Sequence, residues 1–289
     1  MEEMREVKTW SVNNVQHLFE TISSVLYKDL SWETFGEISD YLLNPQGKDC
    51  EITAVLFLIC SDPKRRKKME LEGVNEELGI ILNKRSRYVV QPGDLCFPGG
   101  GIKRPLDNII ARFLMVFHDS LSKYPLKIRK AISLLAVTAL REAWEEIRLN
   151  PFKVKVCGVL SPYRLVMFRK VIVPVVGVIS ASSVMMMENS YEVEKILWIP
   201  FSELLDPSRY ARYRLYNYPK RLDAGVNIHY QDFLCFIHQD GVATEILWGA
   251  TFRMVMDFIG KFFDFLPPPA EELPVVPGIL SDAYLGRRR

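Results

Sequence analysis

Apolar residues recur at close to helical spacing between about Val7 and Tyr27, at Trp10, Val15, Leu18, Phe19, Ile22 and Leu26, which predicts an N-terminal helical segment. Glu51 to Cys60 and Gly79 to Asn83 are instead short runs of Ile, Leu and Val, and predict strands. The connection between them is charged, with Lys64-Arg65-Arg66-Lys67-Lys68 followed by an acidic stretch from Glu70 to Glu77. It reads as a solvated hairpin tip, although clustered cations also suit a phosphate. Asn108 to Val137 is strongly apolar with embedded charges and one proline, Pro125, predicting two helical pieces broken near Lys123 to Leu126. That stretch holds Ile109, Ile110, Phe113, Leu114, Val116 and Phe117, too apolar for a free loop. Beyond it, Val154 to Leu160 and Val171 to Ile179 are β-branched runs, and Ile246 to Phe263 has a helical aspect ending before Pro267-Pro268-Pro269. The tail from Pro267 is expected to run over the surface.

Composition narrows the class. At 289 residues and 48% hydrophobic, the chain can bury one large core with additions, or two small ones. Its 37 Lys and Arg against 35 Asp and Glu leave a net charge of +2, too balanced for wholesale nucleic-acid binding, so any basic site must be local. The cysteines Cys50, Cys60, Cys96, Cys157 and Cys235 are scattered and form no Cys-x-x-Cys pair, which fits a reducing compartment without structural zinc. Val171 to Met187 is uncharged but short for a membrane span, and Pro174 and Gly177 make a strand followed by a turn the better reading. The first residues are acidic where a secretory signal would be basic, and the last are Gly286-Arg287-Arg288-Arg289, which is no retention or peroxisomal signal. The cytoplasm is therefore the expected location, with no nucleic acid and no membrane as partner.

The densest chemistry lies in Thr138-Ala139-Leu140-Arg141-Glu142-Ala143-Trp144-Glu145-Glu146-Ile147. On a helix, Glu142, Glu145 and Glu146 are related by three and four residues and share one face, while Leu140, Ala143, Trp144 and Ile147 can bury themselves on the other. Three carboxylates held close repel one another, and a hard divalent cation with oxygen ligands relieves them. A solvated acidic face is the alternative. Upstream, Leu95-Cys96-Phe97-Pro98 precedes Gly99-Gly100-Gly101, where backbone can come close to a ligand and lend a carbonyl to a metal.

Together these elements resemble the Nudix box, G-x5-E-x7-R-E-U-x-E-E-x-G-U, with U a bulky apolar residue. Arg141, Glu142, Ala143, Glu145, Glu146 and Leu149 stand at matching positions. The chain departs from the pattern at Asp107, which stands for the first Glu, at the long insertion before Arg141, and at Arg148, which replaces the later glycine. Over residues 50 to 260 the nearest resemblance within these families is to the coenzyme A pyrophosphatases. It rests on Arg85-Ser86, Gln91-Pro92-Gly93-Asp94-Leu95, Phe97-Pro98-Gly99-Gly100, Tyr163 and Val173 to Gly177. Asn189-Ser190-Tyr191-Glu192-Val193, Leu204-Leu205-Asp206-Pro207 and Trp248-Gly249-Ala250-Thr251 complete it.

The resemblance implies an α/β Nudix fold: a mixed β-sheet sandwiched between helices, an N-terminal helical extension (1–49), a hydrolase domain (50–263) with a helical insertion (108–137), and a Pro-rich tail (264–289). It implies Mg²⁺ or Mn²⁺ on Glu142, Glu145 and Glu146, with Gly100 as a backbone ligand. It also implies Glu145, Glu146 and Glu192 as catalytic groups, and Arg85, Gly99 and Gly100 against the substrate. The first box carboxylate supports the box and the glycine ends its helix. The implied reaction is hydrolysis of a diphosphate in coenzyme A or acyl-CoA to 3′,5′-ADP and 4′-phosphopantetheine. ADP-ribose or NADH as substrate, and a binding module with a decayed box, are the rivals. The insertion is expected to pack on the domain or on a second subunit, which leaves a homodimer open. His17, His118, His229 and His238 are isolated and are expected to serve packing or surface roles.

Overall fold

A computed structural model describes residues 15–44, 50–61, 77–117, 121–165, 169–216, 230–279 and 284. Lys64 to Lys68, His118 and His229 lie outside these described residues, as do the side chains of Phe113, Leu114, Val116 and Phe117. The longest strand, β1 (Glu51–Ser61), pairs in parallel with β7 (Lys170–Val178) along nine residues. Its other edge is shared. Leu58 to Ser61 pair with β2 (Leu78–Arg85), whereas Thr53 to Val55 pair with β4 (Gly99–Gly101). β2 in turn pairs with β3 (Leu95–Cys96) near its C-terminal end and with β8 (Val193–Pro200) on its far edge. The β3 to β4 segment therefore fills the gap where β1 and β2 part, and the Leu56 N–H donating to the Pro98 carbonyl at 2.8 Å stitches it in. β5 (Lys155–Val159) and β6 (Tyr163–Leu165) complete the sheet against β7.

Alternation along β1 divides the core. Ile52, Ala54, Leu56, Leu58 and Cys60 face one side, and Phe57 and Ile59 the other, as the two-residue repeat of a strand with both faces buried requires. Against the first side pack α2 (Trp32–Leu43), α3 (Arg104–Phe117) and α4 (Leu126–Ile147), with Phe35, Ile38, Leu135 and Leu140 among their buried side chains. The second side is covered by α1 (Val15–Lys28), through Leu18, Ile22 and Leu26, and by α7 (Gly249–Phe263), through Val255, Phe258 and Phe262. The layers are the helix–sheet–helix sandwich expected. The short helices α5 (Ala181–Val184) and α6 (Phe201–Leu204) flank β8.

Several expectations change. The N-terminal helical region continues through a second helix, α2, opened by the Ser31 side chain accepting from the Thr34 N–H. Ile246 to Trp248 do not begin a helix: they belong to strand β11 (Thr244–Trp248), and α7 starts after the left-handed turn at Gly249, φ +66°. β11 sits in a second sheet with β10 (Tyr230–Gln239), β9 (Tyr210–Tyr216) and β12 (Val275–Ile279). The tail is thus partly structural, because β12 pairs in parallel with β9 and completes that sheet. The insertion does form helices: α3 supplies one, and the other is the N-terminal half of α4, continuous with the box helix. Ala111 packs inward, but Ile109 and Ile110 stay exposed. The described histidines differ in setting: His17 is exposed, and His238 is buried with Nδ1 3.0 Å from a Glu203 carboxylate oxygen.

Candidate active site

The 22-residue helix α4 carries the acidic face at its C-terminal end. It stops because Arg148 adopts a left-handed conformation, φ +55°, and its N–H caps the carbonyls of Ala143 and Trp144. A residue other than glycine thus performs the helix stop the box assigns to glycine. The Arg148 guanidinium lies 5.9 Å from the centre of the Trp144 ring. Trp144 itself is 48% exposed, contrary to the expectation that it would be buried, because its position is at the rim of the apolar face.

Asp107 takes the supporting role. Although it lies far from Arg141 in sequence, α3 brings it under the box helix, where it is fully buried. Its carboxylate accepts from Arg141 Nε at 2.8 Å and Nη2 at 3.2 Å, from Thr138 Oγ1 at 3.0 Å and from the Lys103 N–H at 2.8 Å. Arg141 also reaches the Gly101 carbonyl at 2.9 Å, Glu142 at 2.7 Å and Glu145 at 3.2 Å. Burial works against the Arg141 charge, but Asp107 and Glu142 more than offset it and hold the guanidinium charged. Arg141 therefore ties the glycine strand, α3 and two glutamates into one unit.

The glycines are required by proximity. A Cβ on Gly100 would stand 2.7 Å from Cδ of Glu142, and one on Gly99 would stand 2.4 Å from the Ala54 carbonyl oxygen of β1. Glu146 points toward the same strand: Oε1 accepts from the Gly99 N–H at 3.4 Å and Oε2 from Asn83 Nδ2 at 2.9 Å. Burial pushes the Glu146 carboxyl up to about 7, with Glu142 and Glu192 adding repulsion and the two hydrogen bonds opposing it. For Glu145, partial burial raises the pKa, but hydrogen bonds from Lys103 and Arg141 outweigh it and hold the carboxyl below the usual range. Lys103 Nζ sits 2.9 Å from a Glu145 oxygen, both side chains being largely exposed.

Glu192 arrives from a distant loop. The Ser190 N–H donates to the Glu146 carbonyl at 2.9 Å, and the Glu188 N–H to the Ile147 carbonyl at 3.1 Å, fastening that loop to the end of α4. Ser86 fixes it from the other side, its N–H donating to the Glu192 carbonyl at 2.8 Å and its hydroxyl to the Tyr191 carbonyl at 2.7 Å. Arg85, the neighbour of Ser86, is turned another way, with Nε donating to the Val90 carbonyl at 2.7 Å. Asn83 and Lys103 were not singled out from the sequence: Asn83 sits in an apolar strand with no motif around it, and Lys103 in an ordinary charged pair with Arg104.

The donors are all hard oxygens, and partly buried Glu146 stands beside Glu142 and Glu192 with no cation paired to it among the described residues, so the residue types fit a divalent cation. Among the described residues, no three His, Cys, Asp or Glu side chains form a metal-ligand set; Arg141 engages Glu142 and Glu145, and Lys103 engages Glu145.

No family model matches the chain. It is 31% identical over 136 residues to the Nudix hydrolase NudL of Enterobacter sp. (strain 638), covering 47% of this chain and 56% of that protein. It is 27% identical over 259 residues to the chloroplastic Nudix hydrolase 22 of Arabidopsis thaliana, covering 86% and 74%. With the peroxisomal coenzyme A diphosphatase NUDT7 of Mus musculus it shares 30% identity over 122 residues, covering 42% and 39%. The chain thus spans little more than half of the bacterial relative. Among solved structures it is similar to a NUDIX hydrolase from Alicyclobacillus acidocaldarius, with TM-score 0.38 and 15% identity over 55% of this chain and 82% of that one. It is also similar to the NUDIX domain of Shewanella oneidensis NrtR complexed with ADP ribose, with TM-score 0.34 and 18% identity over 58% and 85%. Relatives from a bacterium and a plant carry one family name, Nudix hydrolase, and the chain that places Glu142, Glu145 and Glu146 on one helix, braced by Asp107 through Arg141, is similar to both.

Proposed function

We propose that the protein hydrolyses a diphosphate bond in a nucleoside diphosphate derivative, with coenzyme A or an acyl-CoA as substrate. The observation that carries the reading is the convergence of Glu142, Glu146 and the glycine strand on one surface, with Arg141 braced behind them by buried Asp107. A diphosphate is a crowd of negative oxygens that repels an incoming hydroxide, so catalysis needs charge neutralisation and a positioned water more than covalent chemistry. Glu142, Glu145 and Glu146, with the Gly100 carbonyl, would hold Mg²⁺ or Mn²⁺, whose charge offsets that of the diphosphate and lowers the pKa of an attacking water. Lys103 and Glu145 are exposed partners, and an exposed pair is weak enough to exchange for a stronger one.

Glu192, close enough to add repulsion at Glu146, is the candidate base or additional ligand. Gly99 and Gly100 let substrate approach the backbone, and Arg85 is the candidate donor to a substrate phosphate. The mouse coenzyme A diphosphatase and the Arg85-Ser86 and Asn189 to Val193 motifs favour coenzyme A over ADP-ribose or NADH.

The test is turnover of CoA, acyl-CoA, ADP-ribose and NADH by purified protein with Mg²⁺, products resolved by chromatography. CoA should give 3′,5′-ADP and 4′-phosphopantetheine, and excess EDTA should stop the reaction. Glu145→Gln and Glu146→Gln should each lose about 10²-fold or more in kcat, the scale of one electrostatic contact to a transition state, with unchanged melting. Faster turnover of ADP-ribose or NADH than of any CoA species would move the assignment to those substrates. Near-normal rates in both variants would remove the box glutamates from the chemistry.

A further inference from the structure

A cleft of ≈290 Å³ opens between the C-terminal end of α2, the outer side of α3 and the N-terminal half of α4. Leu42, Leu43, Ala111 and Leu134 form its apolar walls, and Arg104, Asn108, Arg112 and Lys130 its polar ones. Three cations thus face one cleft. Nη1 of Arg104 donates to the Leu42 carbonyl at 3.0 Å, and no carboxylate partner accompanies Arg104, Arg112 or Lys130 among the described residues. The nearby Asp40 is already paired with Lys127 at 2.7 Å. Like charges gathered without counter-charge are relieved by an anion, and guanidinium groups favour phosphate because their donors match its oxygens.

The cleft is separate from the box. Along α4, Leu134 and Lys130 precede Glu145 by 11 and 15 residues, which at 1.5 Å per residue is about 16 Å and about 22 Å. Nor does it continue into an apolar face. At 100° per residue, the exposed Leu106 and Ile110 lie about 160° around α3 from the mean direction of Arg104, Asn108 and Arg112, with Ile109 between at about 100°, so a flat lipid surface could not meet Leu106 and Ile110 together with the three polar side chains.

We propose that this cleft binds a phosphate monoester bearing a short apolar group, the phosphate on Arg104, Arg112 and Lys130 and the apolar part against Leu42, Leu43 and Leu134. Its residues alternate, at the start of α3 and just before it, with those that hold the box. Lys103 and Asp107 engage Glu145 and Arg141, and their sequence neighbours Arg104 and Asn108 line the cleft. The bound anion stiffens α3 and so steadies the Asp107 brace.

The experiment is calorimetric titration of the full chain, without added metal, by inorganic phosphate and by hexyl phosphate, with amide exchange of α3 followed in parallel. Hexyl phosphate should bind at one site and more tightly than inorganic phosphate, and should protect the α3 amides. Arg112→Ala with Lys130→Ala, both exposed positions, should weaken binding by tenfold or more at unchanged melting temperature. Glu145→Gln should leave it unchanged, so failure here is distinguishable from failure of the hydrolase assignment. Equal affinity in the double variant, or no heat with either ligand, would overturn the proposal. So would capture by anionic phospholipid vesicles in place of hexyl phosphate, which would point to a membrane surface.

Discussion

Asp107 and Arg141 set the energetics of the site at the scale of single residues. Arg141 is only 8% exposed, so removing its fully buried partner strands a charge away from water. Asp107→Ala should cost about 3 kcal/mol or more of stability, read by denaturant unfolding; a loss below 1 kcal/mol, on the scale of an exposed pair, would mean that Glu142 and the Gly101 carbonyl suffice. Arg148 offers the opposite case. Its left-handed backbone costs a branched-at-Cβ-free but non-glycine residue on the order of 1 kcal/mol, and glycine adopts that conformation freely. Arg148→Gly should therefore raise stability by up to about 1 kcal/mol, seen as a higher melting temperature, unless the packing of the guanidinium on Trp144 is worth as much.

At the scale of elements, β4 and α4 approach so closely that neighbouring glycines have different tasks. A methyl group on Gly100 meets the far end of the Glu142 side chain, which can swing aside, whereas one on Gly99 meets β1 backbone. Gly100→Ala should keep the fold and raise the Mg²⁺ concentration needed for activity, because Glu142 is displaced. Gly99→Ala should unfold the β1 to β4 pairing and lower the melting temperature sharply. Similar melting curves for the two variants would show that β4 yields as a unit. Helix α4 explains how the box tolerates its insertion: residues such as Ile128, Ile132 and Leu135 extend the helix N-terminally into the core, and α3 carries Asp107 back beneath Arg141.

For the whole molecule, the C-terminal segment closes the second sheet against the first. β12 gives β9 a partner, and the Tyr284 hydroxyl donates to Asp94, whose other oxygen accepts from Trp248 Nε1 at 3.0 Å. Burial raises the Asp94 carboxyl despite both hydrogen bonds, so this group depends on its partners for satisfaction. A chain ending at Pro269 should lose roughly 1–3 kcal/mol from the unmatched carboxylate alone and melt at a lower temperature. An unchanged melting temperature would make β12 an accessory strand.

The local chemistry was legible in sequence because its rules are short-range. Glu142, Glu145 and Glu146 share a face by helical geometry, and the alternation of β1 and β7 shows as continuous β-branched and aliphatic runs because both sides of that sheet are buried. The second sheet was not legible, since β9 and β10 mix charged and aromatic residues on half-exposed strands and β12 lies among prolines that suggest a loop. Only tertiary structure could decide which residues complete the site. Asn83 meets Glu146, Ser86 anchors the Glu192 loop and Asp107 meets Arg141 across long sequence separations, through hydrogen bonds that no periodicity encodes. Arg104, Arg112 and Lys130 are likewise ordinary surface cations in sequence, and it is the packing of α2, α3 and α4 that turns them toward one cleft.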